Sequence, residues 1–167
     1  VVALASNTVE LSQGQFGQHP LYVFCSDGIW AMSVDTSGSL AYLGCYPLSR
    51  EVCLNQASVC CIDGGVVFVC SKGVMVISGR SMKNLSACMD STSDMQGRVL
   101  ADKVIGKILS MMRLPCGAGN VDFQEYLSEA VIGYLPSHNE LLITNGHYGY
   151  SYLYSLQSGS WSCVDVV

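Results

Sequence analysis

Leu21-Tyr-Val-Phe-Cys-Ser-Asp-Gly-Ile-Trp-Ala-Met-Ser-Val34 is an apolar strand, a tight polar turn and a second apolar strand. The pattern returns as Val66-Val-Phe-Val-Cys-Ser-Lys-Gly-Val-Met-Val-Ile-Ser78. It returns again as Leu141-Leu-Ile-Thr-Asn-Gly-His-Tyr-Gly-Tyr-Ser-Tyr-Leu-Tyr-Ser155. Gly28 and Gly73 hold equivalent places 45 residues apart. Hairpins repeating at that period mark propeller blades and related all-β arrays. The expected fold class is therefore all-β dominated: β-meander repeats, propeller-like, whether complete or incomplete, with a small helical insertion.

Around these hairpins the chain divides into units at about 1–50, 51–90 and 131–167, with the insertion at 91–130, all within a single repeat domain. In the first unit, Val1 to Ser6 reads as a strand and Asn7 to Pro20 as a polar loop. Asp27-Gly28 reads as a hairpin turn because both residues favour positive φ. Leu40 to Cys45 reads as a further strand. The second unit reads as strands over Ala57 to Ile62, Val66 to Cys70 and Val74 to Ser78, with a weaker outer strand after Gly79. These runs are apolar at nearly every position, which predicts burial of both sheet faces. The third unit reads as a four-stranded meander in which Tyr150, Tyr152 and Tyr154 share one face.

The insertion reads as helical. Val99, Leu100, Val104, Ile108, Leu109 and Met112 recur at helical spacing after Asp94, a candidate cap. A second, shorter helix follows Asp122. Glu125 completes a capping-box pattern there, and Phe123, Tyr126, Leu127 and Ala130 form the apolar stripe.

Composition narrows the function classes. Half of the 167 residues are hydrophobic and 13% are charged, which fits a folded body with a sizeable core. The net charge is −5, and eight Lys and Arg spread over the whole length form no nucleic-acid groove. No run of 18 apolar residues indicates a membrane span. Both ends read as cuts from something longer. Nine cysteines are an odd number, so a monomer keeps at least one thiol. Cys25, Cys60 and Cys70 sit inside apolar runs, and no CxxC pair exists. They read as packing thiols in a reducing compartment, with no metal and no cofactor.

Residues for a site are few. His147 stands with Tyr148 and Tyr150 in a turn, and His19 stands beside Gln15 and Gln18. Such groups on loops stack on sugars or grip peptides; alternatively, His147 only fills its turn. Trp30 and Trp161 read as core or inter-sheet packing more readily than as ligand platforms. Hydrolysis would need two close carboxylates, but Asp27 and Asp63 are explained by their turns and Asp122 by its cap. No G-x-S-x-G nucleophile motif is present. The expectation is a protein without enzymatic activity.

The third unit resembles a kelch-like blade, in the aromatic strand, short turn and Trp of Tyr152-Leu-Tyr-Ser-Leu-Gln-Ser-Gly-Ser-Trp161. The double glycine of that family stands as Gly64-Gly65 in the second unit. The phrase Leu11-Ser-Gln-Gly-Gln-Phe-Gly-Gln-His-Pro-Leu-Tyr-Val-Phe24, with Asp27-Gly-Ile-Trp-Ala31, resembles large structural proteins of phages and prophages of gut bacteria. That resemblance implies a structural or protein-interaction module, assembled in cytoplasm and carried on a virion. Its partners would be protein: the rest of a parent chain, or copies of itself, with no nucleic acid and no membrane. A carbohydrate- or peptide-binding module and a fragment of a propeller glycosidase are the alternatives. A closed propeller needs four or more blades, so three units predict an open arc, a fragment, or part of an oligomer.

Overall fold

The computed structural model describes residues 1–7, 20–35, 42–87, 89 and 123–165. These form three four-stranded antiparallel sheets, each a meander. The first sheet comprises β1 (Ala3–Ser6), β2 (Leu21–Cys25), β3 (Gly28–Val34) and β4 (Tyr42–Ser49). The second comprises β5 (Cys60–Ile62), β6 (Gly65–Cys70), β7 (Gly73–Ser78) and β8 (Ser81–Asn84). A short helix, α1 (Phe123–Ser128), precedes the third, with β9 (Val131–Leu135), β10 (Glu140–Thr144), β11 (Tyr150–Ser155) and β12 (Trp161–Asp165). The helix expected over 95–112 and the cap at Asp122 lie outside the described residues. The stripe expected on the second helix is buried at Phe123, Tyr126, Leu127 and Ala130.

The first two hairpins are built alike. Cys25 pairs with Gly28 and Cys70 with Gly73, each across a two-residue turn. The glycine is thus the first residue of the returning strand, not the second turn residue that the Asp27-Gly28 pattern predicts. Gly28 alone carries the positive φ (142°), and Asp27 carries none. A Cβ on Gly28 would stand 2.3 Å from the Ser49 carbonyl oxygen, because β4 crosses there.

The second unit departs from the pattern at its start. Gln56–Ser58 is a 3-10 turn rather than part of a strand. Asn55 caps it, its side-chain oxygen accepting from the Ala57 amide at 2.9 Å. The turn brings Ser58 over the end of β6, where the shorter β5 no longer reaches. There the Ser58 hydroxyl oxygen accepts from the Val69 amide (3.2 Å), and the Leu54 amide donates to the Val69 carbonyl (3.0 Å). The opposite edge is finished the same way. Beyond the end of β8, the Ser86 hydroxyl oxygen accepts from the Val74 amide (2.9 Å) and the Leu85 amide donates to the Val74 carbonyl (2.8 Å). Two serines and two leucine amides so satisfy the backbone of the most buried hairpin.

Two cores flank the second sheet. On one side Tyr22, Phe24, Ile29 and Ala31 of the first sheet meet Val66, Phe68, Cys70, Met75 and Ile77. On the other side Val67, Val69 and Val74 meet α1 together with Ile132, Leu141, Ile143, Tyr152 and Tyr154. Every residue of β6 is buried, as its unbroken apolar run predicts.

Alignment of the hairpins at Cys25/Cys70 and Gly28/Gly73 relates the two cores. Tyr22, Phe24, Ile29 and Ala31 correspond to Val67, Val69, Val74 and Val76. The face that the first sheet turns to the second is therefore the face that the second turns to the third. The sheets stack head to tail. Their first strands run closest, with β1 beside β5 and β5 beside β9.

Candidate functional site

The residues singled out at the β10–β11 turn fall into an aromatic cluster organised by α1. Tyr126 is wholly buried, and its ring packs on Tyr148 and Tyr150 (both 5.2 Å between centroids) and edge-on to Tyr152 (4.8 Å). Phe123 and Trp161 extend the cluster past Tyr152. The Tyr126 hydroxyl donates to the Tyr150 carbonyl (2.8 Å) and accepts from the Asn145 amide (3.1 Å). The Asn145 side-chain amide returns a bond to the Tyr126 carbonyl at 2.8 Å. Helix and turn are locked to each other by these reciprocal bonds.

Of the predicted contacts, Tyr150 is therefore core, while Tyr148 is half-buried against Tyr126. His147 stands at the surface with Nε2 2.8 Å from a carboxylate oxygen of Glu129, both side chains largely exposed. The structure places His147 and Tyr148 on the β10–β11 loop, where both are accessible, and Tyr150 at the buried start of β11. His19 lies outside the described residues.

Burial governs the ionisation of the cluster. It pushes the phenols of Tyr126 and Tyr150 up to about 12 and drives that of Tyr152 further in the same direction. The Tyr150 hydroxyl is buried and completes no hydrogen bond of good geometry, although it lies near enough to that of Tyr152 for the two to influence each other. Burial likewise pushes the Cys70 thiol up to about 11. A thiol held protonated in a dry site is a packing group, not a nucleophile. Among the described residues, no group of three or more His, Cys, Asp or Glu gathers where a metal ion would bind. No described helix is long and apolar enough to cross a membrane.

A second feature lies on the far side of the first sheet. Asp27, Trp30, Pro47, Leu48, Ser49 and Arg50 line an open depression of about 580 Å³. Trp30 is half-buried there, and pairing places Leu4, Val23, Trp30 and Pro47 in one cross-strand row. Leu21, Met32 and Cys45 continue the same face. Leu4 is 59% exposed. The third sheet has a matching open face. Among the described residues it carries the row Gly133, Leu142, Leu153 and Ser162; in the next row Val131 is exposed, but Ser151, paired with Thr144, is buried. Val131 is 46% and Leu135 36% exposed. The alternation in residues 21–34 already carried this face; what it lacked was any mark of which faces the neighbouring sheets cover.

No protein-family model matches the sequence, and no curated protein matches it significantly.

Proposed function

We propose that this chain is a structural or protein-interaction module made of consecutive blade-like sheets, propeller-like in arrangement, and not an enzyme. One observation carries the reading. Leading face meets trailing face at both internal interfaces, and among the described residues nothing packs on the same two kinds of face, with their apolar rows, at the first and third sheets. A sheet that buries both faces in the middle of the array and one at each end is built to be continued. The nearness of the first strands of successive sheets fits blades radiating from an axis. The kelch-like third unit agrees with this reading. The likeness of residues 11–31 to phage structural proteins adds a virion or tail particle as its setting.

Saccharide recognition is the second reading, favoured by the depression whose lining combines Trp30 with Asp27 and Arg50. A glycan array probed with the purified chain separates the two. The structural reading expects no saturable binding. Saturable binding that Trp30→Ala or Tyr148→Ala removes would replace it with sugar recognition.

A further inference from the structure

We propose that two copies of this chain close head to tail, the open face of the first sheet in one copy seated on the open face of the third sheet in the other. The proposal rests on the blade-like reading above and names its partner as a second copy.

The chain itself supplies the template. The contact between the first and second sheets and the contact between the second and third use the same pair of opposite faces. In the hairpin alignment, Leu21, Val23, Trp30 and Met32 occupy the places of Val66, Phe68, Met75 and Ile77. The latter four are the residues through which the second sheet receives the first. The open face of the first sheet is thus of the receiving kind. The open face of the third sheet is of the presenting kind, since its other face is the one packed on the second sheet. Two copies therefore offer each other one face of each kind, twice over.

Shape agrees with this pairing. The first sheet presents a bulky row, Leu4-Val23-Trp30-Pro47. The third presents a low one, in which Gly133 precedes Leu142 and Leu153, and a Cβ built on Gly133 meets nothing within 4 Å. A ridge bearing an indole fits a face with such a gap better than it fits a copy of itself, which argues against two like faces pairing. Closure limits the number of copies. Head-to-tail contacts make rings when the rotation closes and filaments when it does not. Propellers close with about four to eight blades. With three sheets among the described residues, two copies give six, and a third copy would exceed that range.

Analytical ultracentrifugation of the 167-residue chain over a wide concentration range tests the assembly. The expected limiting mass is about 36 kDa, twice the 17.9 kDa of one chain. Trp30→Arg and Leu142→Arg should each give the monomer mass while keeping the wild-type circular dichroism and thermal midpoint. Mixed one to one, the two variants should recover a dimer weaker than the wild type, held by the one interface in which both faces are intact, while the other interface combines the two arginines. If either variant fails to fold, Met32→Arg or Leu153→Arg takes its place. A wild-type mass of one chain at every concentration overturns the proposal. So does a mass that grows without limit, a dimer that survives both variants, or a mixture that stays monomeric. A monomer with no glycan binding removes the dimer and leaves the structural reading standing; glycan binding removes that reading whatever the mass.

Discussion

The rings of Phe24 and Phe68 meet across the first two sheets, 5.2 Å between centroids and inclined at 58°, although they hold non-equivalent places in their hairpins. Phe24 immediately precedes the turn cysteine, whereas Phe68 stands two residues before it. One residue of offset reverses the face of a strand. Equivalent phenylalanines would point the same way along the stack and never touch. This contact exists because each sheet sets one kind of face on the opposite kind of the next, rather than pairing like faces.

Phe24→Ala and Phe68→Ala should each cost about 3–5 kcal/mol in urea unfolding, since both rings are wholly buried. The double variant should fall short of the sum by about 0.5–1.5 kcal/mol, the part due to ring contact. Strict additivity would mean that the two rings stabilise the fold independently.

The two serines that finish the β6–β7 hairpin should matter more than their size suggests. Ser58→Ala leaves the Val69 amide, and Ser86→Ala the Val74 amide, buried without that acceptor. Each should cost about 1–3 kcal/mol. Amide hydrogen exchange provides the local check: protection at Val69 should fall in the first variant and at Val74 in the second. Unchanged protection would show that water replaces the hydroxyl without loss.

Much of this architecture is legible before any coordinates. The apolar run 66–78 specifies a hairpin buried on both faces, and the alternation at Tyr150, Tyr152 and Tyr154 specifies a core-facing row. The start of the second unit is not legible. Ala57 and Ser58 continue a strand reading into Val59, whereas the backbone turns there through the Asn55 cap and the tertiary bond that Ser58 accepts from the Val69 amide. The Asp27-Gly28 pattern places the hairpin correctly and the turn one residue too late. The dipeptide records a tolerance for positive φ, while the close passage of the Ser49 carbonyl assigns the position to glycine. The candidate site is legible only in part. His147 and Tyr148 are recognisable as loop residues, but the partners that fix their roles, Glu129 and Tyr126, come from a different element. Trp30 and Met75 hold equivalent places, yet one is half-exposed and the other buried. Sequence alternation identifies a face and does not say what lies on it.

Gly28→Ala should be among the most damaging single substitutions, since the added methyl enters the Ser49 carbonyl at a φ that alanine avoids. A loss of about 2 kcal/mol or more is expected. His147→Ala removes one exposed hydrogen-bond partner of Glu129 and should change stability by less than about 0.5 kcal/mol. Reversal of that order in thermal melts would contradict the placement of both residues.

Stability should decline in alkali. The folded chain keeps protons on Cys70 to about 11 and on Tyr126 and Tyr150 to about 12, because burial disfavours their charged forms. The unfolded chain releases them from the ordinary values of 9.0 for a thiol and 10.0 for a phenol. Between these limits the unfolded state binds fewer protons, so unfolding grows easier as pH rises. The stabilisation is complete below about pH 9 and falls away through about pH 12. Urea midpoints taken at successive pH values should show that fall. Cys70→Ala, compared at each pH with its own neutral-pH value, should lessen the early part of it. A flat profile from pH 8 to 11 would remove the thiol contribution.

The buried Tyr150 hydroxyl makes a prediction of opposite sign. Tyr150 keeps its ring on Tyr126 and Tyr152 but carries an oxygen that completes no good hydrogen bond. Such a group incurs the cost of leaving water without the return. Tyr150→Phe keeps the ring and deletes the oxygen, so the folded state should be unchanged or stabilised by up to about 1–2 kcal/mol. Tyr126→Phe is the matched control, because its hydroxyl bridges the Asn145 amide and the Tyr150 carbonyl. That variant should lose about 1–3 kcal/mol. Equilibrium unfolding of the two proteins side by side reads the contrast directly. If Tyr150→Phe destabilises as much as Tyr126→Phe, the Tyr150 hydroxyl has a partner in solution, and the cluster is a hydrogen-bonded network on both sides of the helix contact.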